Sequence, residues 1–186
     1  MKKVLGVVGS PRKKGNTHTL VSKILEGAQS EGISTDIIFL KDLTIEECDG
    51  CHYCWKNEKC IKKDDMSKLY GKIIESDVII FGTPVYWYGP TALMKAFIDR
   101  FVYFNGPKNR KKIKDKLAVI TVPFEEKNLE TVAPVVSFFE KSFNFVKLIG
   151  KIIAPGVTKR GEVKEKKEYM DKAYELGRKA ARAANG

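Results

Sequence analysis

The chain has 186 residues, of which 43% are hydrophobic, and this predicts one globular domain over residues 1–186 and argues against a disordered chain. Its 34 basic and 23 acidic residues give a net charge of +11, which fits a lysine-rich solvated surface, docking of an acidic protein, or nucleic-acid binding. No apolar stretch is long enough to cross a membrane or to form a signal peptide, so we expect a cytoplasmic protein without a membrane partner.

Strands and helices alternate along the first half of the chain. Residues 3–9 are almost continuously apolar, which is typical of a buried parallel strand. A helix is predicted over residues 17–31, where apolar side chains recur on one face, and a second strand over residues 35–40. A cysteine-rich block follows, and after it come a helix over about 64–75 and a third strand over 77–83.

The second half continues this alternation. Its predicted elements are a helix over about 91–101, a fourth strand over 117–122, a helix over about 134–143, a fifth strand within 145–154 and a last helix over about 165–184. Five strands, each followed by a helix, predict an α/β fold with a doubly wound, five-stranded parallel sheet. In the flavodoxin-like strand order 2-1-3-4-5, ligands bind where the carboxyl ends of the first and third strands are neighbours.

The turn after the first strand predicts an anion site. It leads straight into a helix, whose free N–H groups and dipole attract a phosphate. The candidate phosphate contacts are the cation Arg12, the glycine Gly15 and the short polar residues Ser10, Asn16 and Thr17. The alternative is a simple helix cap at Asn16 or Thr17. The turn matches neither a dinucleotide fingerprint nor a Walker A motif, which disfavours a dinucleotide fold and an NTPase.

The turn after the third strand predicts a wall for a flat ring. It contains three consecutive aromatic residues, and the candidate ring contacts are Pro84, Val85, Tyr86 and Trp87. A phosphate on one loop and a flat ring on the neighbouring loop fit FMN. The aromatic residues could also anchor the loop or form a subunit interface.

The four cysteines of the chain, Cys48, Cys51, Cys54 and Cys60, all lie after the second strand. Their spacing, Cys-x2-Cys-x2-Cys-x5-Cys, closely parallels the bacterial ferredoxin run and predicts a [4Fe–4S] cluster, because each thiolate can bind one iron corner. We assign residues 43–63 to a cluster-binding loop inserted in the domain. The alternatives are a structural zinc site with four thiolate ligands and a pair of disulfides.

Together these motifs resemble the iron–sulfur flavoproteins of the NAD(P)H-dependent FMN reductase group. The resemblance rests on residues 9–17, 83–87 and 93–100 and on the cysteine block. It implies a flavodoxin-like homodimer or homotetramer with one FMN and one [4Fe–4S] cluster per subunit, a ferredoxin-like electron donor, and a link to removal of oxygen or peroxide. Plain FMN reductases often carry a glycine-rich loop after the fourth strand, whereas residues 123–128 here are bulky and acidic, which favours a protein donor over NAD(P)H.

The sequence therefore predicts an oxidoreductase that passes electrons from a ferredoxin-like donor through the cluster to FMN and on to a small acceptor such as oxygen or peroxide. We assign no catalytic side chain, because no catalytic triad or carboxylate pair is recognisable and the cofactors would carry the chemistry. The alternatives are an NAD(P)H-dependent FMN or quinone reductase with structural or zinc-binding cysteines, and a redox-sensing nucleic-acid-binding protein, although no recognition helix is present.

Two further expectations concern the surroundings of the cofactors. Because the cysteine block follows the second strand, we expect it near the edge of the sheet, so that a neighbouring subunit brings the cluster and the flavin together. Asp99 and Arg100 end a predicted helix and are interpreted as a structural pair.

Overall fold

The central sheet has five parallel strands in the computed structural model, which describes residues 2–143 and 146–186. The strands are β1 Lys3–Val8, β2 Ser34–Phe39, β3 Val78–Gly82, β4 Leu117–Pro123 and β5 Lys147–Ala154. Their order is β2-β1-β3-β4-β5, and each neighbouring pair is parallel. The predicted fold class and strand order are confirmed. The start of the predicted fifth strand, Phe145, lies outside the described residues.

Helices cover both faces of this sheet. They are α1 Asn16–Gln29, α2 Tyr53–Asn57, α3 Met66–Glu75, α4 Ala92–Asp99, α5 Val102–Asn105, α6 Ala133–Ser142 and α7 Lys167–Asn185. Short 3-10 turns occupy Leu40–Asp42, Arg110–Lys112, Leu129–Thr131 and Glu162–Glu165. Each predicted helix is present, with its ends shifted by a few residues. The short helices α2 and α5 were not predicted; α2 lies inside the cysteine block, and α5 follows α4 after a break at residues 100 and 101.

The three inner strands, β1, β3 and β4, are almost entirely apolar because the sheet separates two cores. In β1, Leu5 and Val7 face the core that is closed by α3, α4 and α6. The alternate residues Val4 and Val8 face a second core, which is closed by α1 and α7. Successive strand side chains point to opposite faces, so burial on both faces requires an apolar residue at nearly every position.

Glycines let α1 and α7 approach closely in the second core. A Cβ atom on Gly27 would lie 2.0 Å from the backbone oxygen of Tyr174, and one on Gly177 would lie 1.9 Å from that of Ile24. Real side chains do not come this near, so any larger residue must push the two helices apart.

We therefore expect Gly177→Ala to lower the free energy of unfolding by roughly 1–3 kcal/mol, the usual cost of overpacking a core. Urea unfolding followed by circular dichroism measures this. The matched control is Gly71→Ala in α3, where no atom lies within 4 Å of the added Cβ. Its higher helix propensity should stabilise the protein by roughly 0.5–1 kcal/mol. Equal unfolding midpoints for the two variants would contradict the proposed helix contact.

Candidate functional site

Two loops meet at the carboxyl ends of the adjacent strands β1 and β3. The phosphate loop is residues 9–17, and the ring loop is residues 83–91. The Gly9 N–H donates to the backbone oxygen of Gly82 at 2.7 Å. The buried hydroxyl of Thr91 donates to the Gly9 oxygen and accepts from the N–H of Met94, so it also caps α4. These bonds fix the two loops against each other, as the predicted strand order requires.

The first turn of α1 has no side-chain cap. Its N-cap residue is Gly15, in extended conformation, and no side chain there accepts a hydrogen bond from the helix. The prediction that Asn16 or Thr17 could cap the helix is therefore wrong. Glycine suits this position because a Cβ atom would lie only 3.0 Å from the oxygen of Arg12. An uncapped helix start, with Ser10 and Thr17 buried beside it, presents N–H groups to an anion.

The side chain of Asn16 holds a neighbouring loop. Its amide nitrogen donates to the backbone oxygens of Val157 and Lys159 at 3.2 and 3.0 Å. Its amide oxygen accepts from the N–H of Val163 at 3.1 Å. Asn16 thus anchors the loop between β5 and α7 to the phosphate loop. Because its side chain has three protein partners, Asn16 holds the β5–α7 loop against the cleft and is less free to contact phosphate than predicted.

One cleft collects eight of the nine predicted cofactor residues. Its lining residues are Ser10, Arg12, Gly15, Asn16, Thr17, Pro84, Val85, Tyr86, Pro123, Phe124, Glu125, Val157, Thr158 and Arg160. Thr158 and Arg160, which the β5–α7 loop brings to the cleft, were not predicted from the sequence. The available signal was the pair of glycines that bracket this loop, Gly156 and Gly161, both in the left-handed region. The cleft therefore joins an uncapped helix start, two arginines and an aromatic rim.

Trp87, the ninth predicted residue, does not line the cleft. Tyr86 and Gly89 exchange two backbone hydrogen bonds, of 2.9 and 3.0 Å, across a tight turn. The two central residues, Trp87 and Tyr88, have φ of 51° and 61°, a region that bulky residues seldom adopt and that costs about 1–3 kcal/mol each. Trp87 is 97% exposed. The turn holds two aromatic rings in solvent beside the cleft, where they could meet a flat ring or another protein surface.

The cysteine loop, residues 43–63, brings its four thiols into one neighbourhood. None of them is in a disulfide. Cys54, on α2, is buried, Cys48 and Cys60 are partly buried, and Cys51 is exposed. Burial raises the pKa of Cys54, and the charges of Cys60, Cys48 and Cys51 raise this pKa further. Burial and the other three cysteines thus all favour the neutral thiol form of Cys54.

Several hydrogen bonds anchor the cysteine loop to the chain after α4. The indole N–H of Trp55 donates to the backbone oxygen of Val102 at 2.9 Å. The side-chain amide of the buried Asn109 donates to the backbone oxygen of Cys54 at 3.1 Å. The hydroxyl of Tyr103 donates to the backbone oxygen of Glu58 at 2.9 Å. The imidazole of His52 stacks on the indole of Trp55, with ring centroids 4.1 Å apart. The loop is thus packed in place by residues outside it.

Among residues 2–143 and 146–186, no three carboxylate, imidazole or thiol groups are arranged to hold one metal ion. In a cubane cluster each thiolate binds a different iron atom, so its four ligands lie further apart than those of a single ion. Four free thiols in one anchored loop are the donor set that a [4Fe–4S] cluster uses.

Arg100 is the principal residue of this region that sequence reasoning missed. Its side chain is 1% exposed, and its guanidinium donates to the Cys60 sulfur at 3.2 Å. It also forms a two-bond pair with the carboxylate of Asp64. Burial raises the pKa of Asp64, but the bond from Arg100 and its charge outweigh burial, so the pKa lies below its ordinary value. The interpretation of Asp99 and Arg100 as one pair is wrong, because Asp99 pairs with Lys95 at 2.6 Å.

Comparison with known proteins gives a consistent result. The family described as NADPH-dependent FMN reductase matches residues 2–139. An iron–sulfur flavoprotein of Archaeoglobus fulgidus is 32% identical over 182 residues, which are 97% of this chain and 80% of the relative. A second one, from Methanocaldococcus jannaschii, is 43% identical over 98 residues, about half of each chain. The solved structure of a flavone reductase superposes with a TM-score of 0.76 at 22% identity, over 98% of this chain and 63% of that one.

Among the described residues, no helix combines the length and the apolar character that crossing a membrane requires.

Proposed function

Because the chain belongs to the NADPH-dependent FMN reductase family, in its iron–sulfur flavoprotein branch, we propose that it relays electrons from a ferredoxin-like donor to FMN through a [4Fe–4S] cluster. The chain is a flavin-dependent oxidoreductase. The observation that carries the proposal is the pairing of one FMN-type cleft with one anchored loop of four free thiols. When bound, the cluster supplies one-electron transfer and FMN joins single electrons into pairs.

The phosphate end of FMN is assigned to the start of α1. The uncapped N–H groups and Arg12 supply donors, while Ser10 and Thr17 add buried hydroxyls. The second arginine of the cleft, Arg160, is held near this site by the bonds from Asn16 to its loop. Positive charge and oriented donors together select a phosphate monoester.

The ring end is assigned to the ring loop and to the residues after β4. Pro84, Val85 and Tyr86 line the cleft, and so do Phe124 and Glu125, which follow β4. Phe124 is buried and its N–H donates to the oxygen of Ala154 at 3.0 Å, so this loop is held in place. A bulky, acidic segment at this position leaves less room for a nicotinamide, which supports a protein donor.

The surface beside the cysteine loop supports an acidic donor. Five cations lie between residues 108 and 114, and Asn109 in the middle of this basic segment is bonded to Cys54. The Lys108 ammonium donates to the backbone oxygen of Lys56 at 3.3 Å. The basic segment therefore packs against α2, the helix that carries Cys54. Complementary charge steers acidic electron carriers to such a surface and orients them there.

Reversing charge in this segment tests the docking proposal. With a reduced acidic ferredoxin as donor, Arg110→Glu with Lys111→Glu is expected to raise the KM about tenfold at low salt, because complementary charge mainly governs encounter. The effect should shrink as salt rises, since exposed charges are screened. The control, Lys166→Glu with Lys167→Glu, makes the same change at the start of α7 on the opposite face of the sheet. Equal KM values for the two double variants would count against this surface.

The donor itself is tested by anaerobic stopped-flow absorption. The protein, carrying FMN, is mixed with reduced ferredoxin in one experiment and with NADPH in another, and bleaching of the flavin is followed. We expect faster bleaching with ferredoxin. Rapid bleaching with NADPH alone would favour the second candidate, an NAD(P)H-dependent FMN or quinone reductase, which the family description supports. Reoxidation by oxygen and by peroxide then identifies the acceptor.

Assembly and location complete the proposal. The protein would act in the cytoplasm, where thiols stay reduced. The two aromatic residues at the tip of the ring loop are exposed and suit a contact between subunits of a homodimer or homotetramer, which would also bring a neighbouring cysteine loop toward the flavin. Sedimentation of the protein with both cofactors determines the number of subunits.

A further inference from the structure

Arg100 lies where the two ends of the cysteine loop come together. It follows α4 and is the largest fully buried side chain of the described residues. The guanidinium donates to the backbone oxygen of Glu46, before the first cysteine, at 2.9 Å. It also pairs with the carboxylate of Asp64, after the last cysteine. One side chain thus joins the entrance of the loop to its exit.

Asp64 completes this junction from the other side. Its carboxylate accepts the N–H of Glu46 at 2.9 Å and the N–H of Met66 at 3.2 Å, in addition to the two bonds from Arg100. The backbone oxygen of Arg100 accepts from the hydroxyl of Tyr70 at 3.2 Å. Both partners of the buried pair are therefore held by several bonds, and neither is free to turn away from the loop.

One nitrogen of the guanidinium, Nη2, donates both to Asp64 and to a thiol. The distance from Nη2 of Arg100 to the sulfur of Cys60 is 3.2 Å, within reach of a hydrogen bond. Hydrogen bonds to ligand sulfurs stabilise the more negative, reduced form of an iron–sulfur cluster and so raise its reduction potential. A buried cation acts more strongly than an exposed one, because little solvent screens it.

We propose that Arg100 is a positioning residue that closes the cysteine loop and, through its bond to Cys60, raises the reduction potential of the cluster. The second half of this inference rests on the proposed function, whereas the first half does not need the cluster. A lysine at position 100 would keep a positive charge near Asp64. It could not reach Asp64, Glu46 and Cys60 together, because it lacks the planar fork of arginine.

The first experiment tests loop closure without metal. The loop carries exposed lysines at positions 56, 59 and 63, which makes it a substrate for trypsin when it opens. In metal-free protein, Arg100→Lys is expected to speed cleavage in this loop about tenfold, since losing a charge-assisted hydrogen bond shifts local opening by roughly that factor. The control Lys95→Met removes an exposed cation of α4 that pairs with Asp99, next to Arg100, and is expected to leave the cleavage rate unchanged.

The second experiment tests the effect on potential. Redox titration followed by electron paramagnetic resonance gives the midpoint potential of the cluster, and flavin absorption gives that of FMN. Arg100→Lys should lower the first and leave the second unchanged, whereas a residue with a structural role alone would not shift the cluster potential. Lys95→Met should shift neither.

The outcomes separate the two claims. Unchanged cleavage in Arg100→Lys overturns loop closure, and an unchanged cluster potential overturns the role of the bond to Cys60. If the wild-type protein holds no iron, the proposed function fails while the cleavage result still decides loop closure. Should Arg100→Lys not fold by circular dichroism, Arg100→Gln with Asp64→Asn replaces the ion pair by a neutral amide pair and is measured in the same way, with the same two results expected.

Discussion

Replacing Cys54 by serine is expected to remove iron from the protein while FMN stays bound. Cys54 is the most buried of the four thiols and lies on α2, between the other cysteines. A serine oxygen is a poor ligand for iron, and the buried position offers no other thiol to take its place. The FMN-type cleft is built from other loops, so its contacts do not depend on this residue. Iron, acid-labile sulfide and flavin per chain, measured after anaerobic purification, give the result.

Asn57→Ser is the matched control for this loss. Asn57 also lies on α2, where its side chain donates to the backbone oxygen of Tyr53, and the substitution leaves all four thiols in place. We expect this variant to keep both iron and FMN. Full iron content in Cys54→Ser, or loss of FMN together with iron, would refute the assignment of two independent sites.

Arg12→Ala is expected to have the reverse effect, weakening FMN binding about 10- to 100-fold while the iron content stays unchanged. The estimate follows from hydrogen bonds to a charged group, which contribute roughly 1.5–3 kcal/mol each. Within the described residues, the side chain of Arg12 has a long contact to the backbone oxygen of Thr158, at 3.4 Å, and it lines the cleft. Its guanidinium is therefore available to a phosphate. Fluorescence titration of FMN-free protein with FMN measures the change in Kd.

Lys13→Ala controls for the loss of one positive charge in the same loop. Lys13 is exposed and pairs with Asp42 at 2.7 Å, and it is not among the residues that line the cleft. Its removal should change the Kd for FMN by less than about threefold, since exposed ion pairs contribute little. A loss of affinity as large as that of Arg12→Ala would mean that the general positive charge of the loop, and no direct contact, holds the phosphate.

The fold followed from the sequence because its signals are local. Continuous apolar runs such as residues 78–82 indicate strands buried on both faces, and the helices between them show one apolar face. Parallel strands joined by helices leave few possible topologies. The two loops of the cleft followed from the same order, because the carboxyl ends of β1 and β3 must be neighbours. The residues of these loops could therefore be named without knowing any contact.

The contacts that the sequence did not predict are long-range. Arg100 was predicted to pair with its neighbour Asp99. Its actual partners, Asp64 and Cys60, lie 36 and 40 positions earlier in the chain. Asn16 was expected to face phosphate because it starts a helix, but its partners lie more than 140 positions later in the chain. No local pattern of residue types reports such pairings, since they depend on how loops from distant strands meet.

The turn at Trp87 was missed for a different reason. Tight turns with two residues in the left-handed region are normally recognised by glycine or asparagine at the centre. This turn has Trp87 and Tyr88 there, so its sequence gives no turn signal. Unfavourable backbone conformations of bulky residues persist where the surroundings impose them, often at binding sites. The usual preference of such turns for glycine or asparagine therefore fails at a position next to the candidate cofactor cleft.

The central claim is that one polypeptide binds both FMN and an iron–sulfur cluster. It is tested most directly by measuring iron, zinc, acid-labile sulfide and FMN in wild-type protein that is purified and kept without air. We expect about four iron, about four sulfide and about one FMN per chain, with no stoichiometric zinc. Protein that contains FMN but no iron, or that contains about one zinc per chain in place of iron, would contradict it.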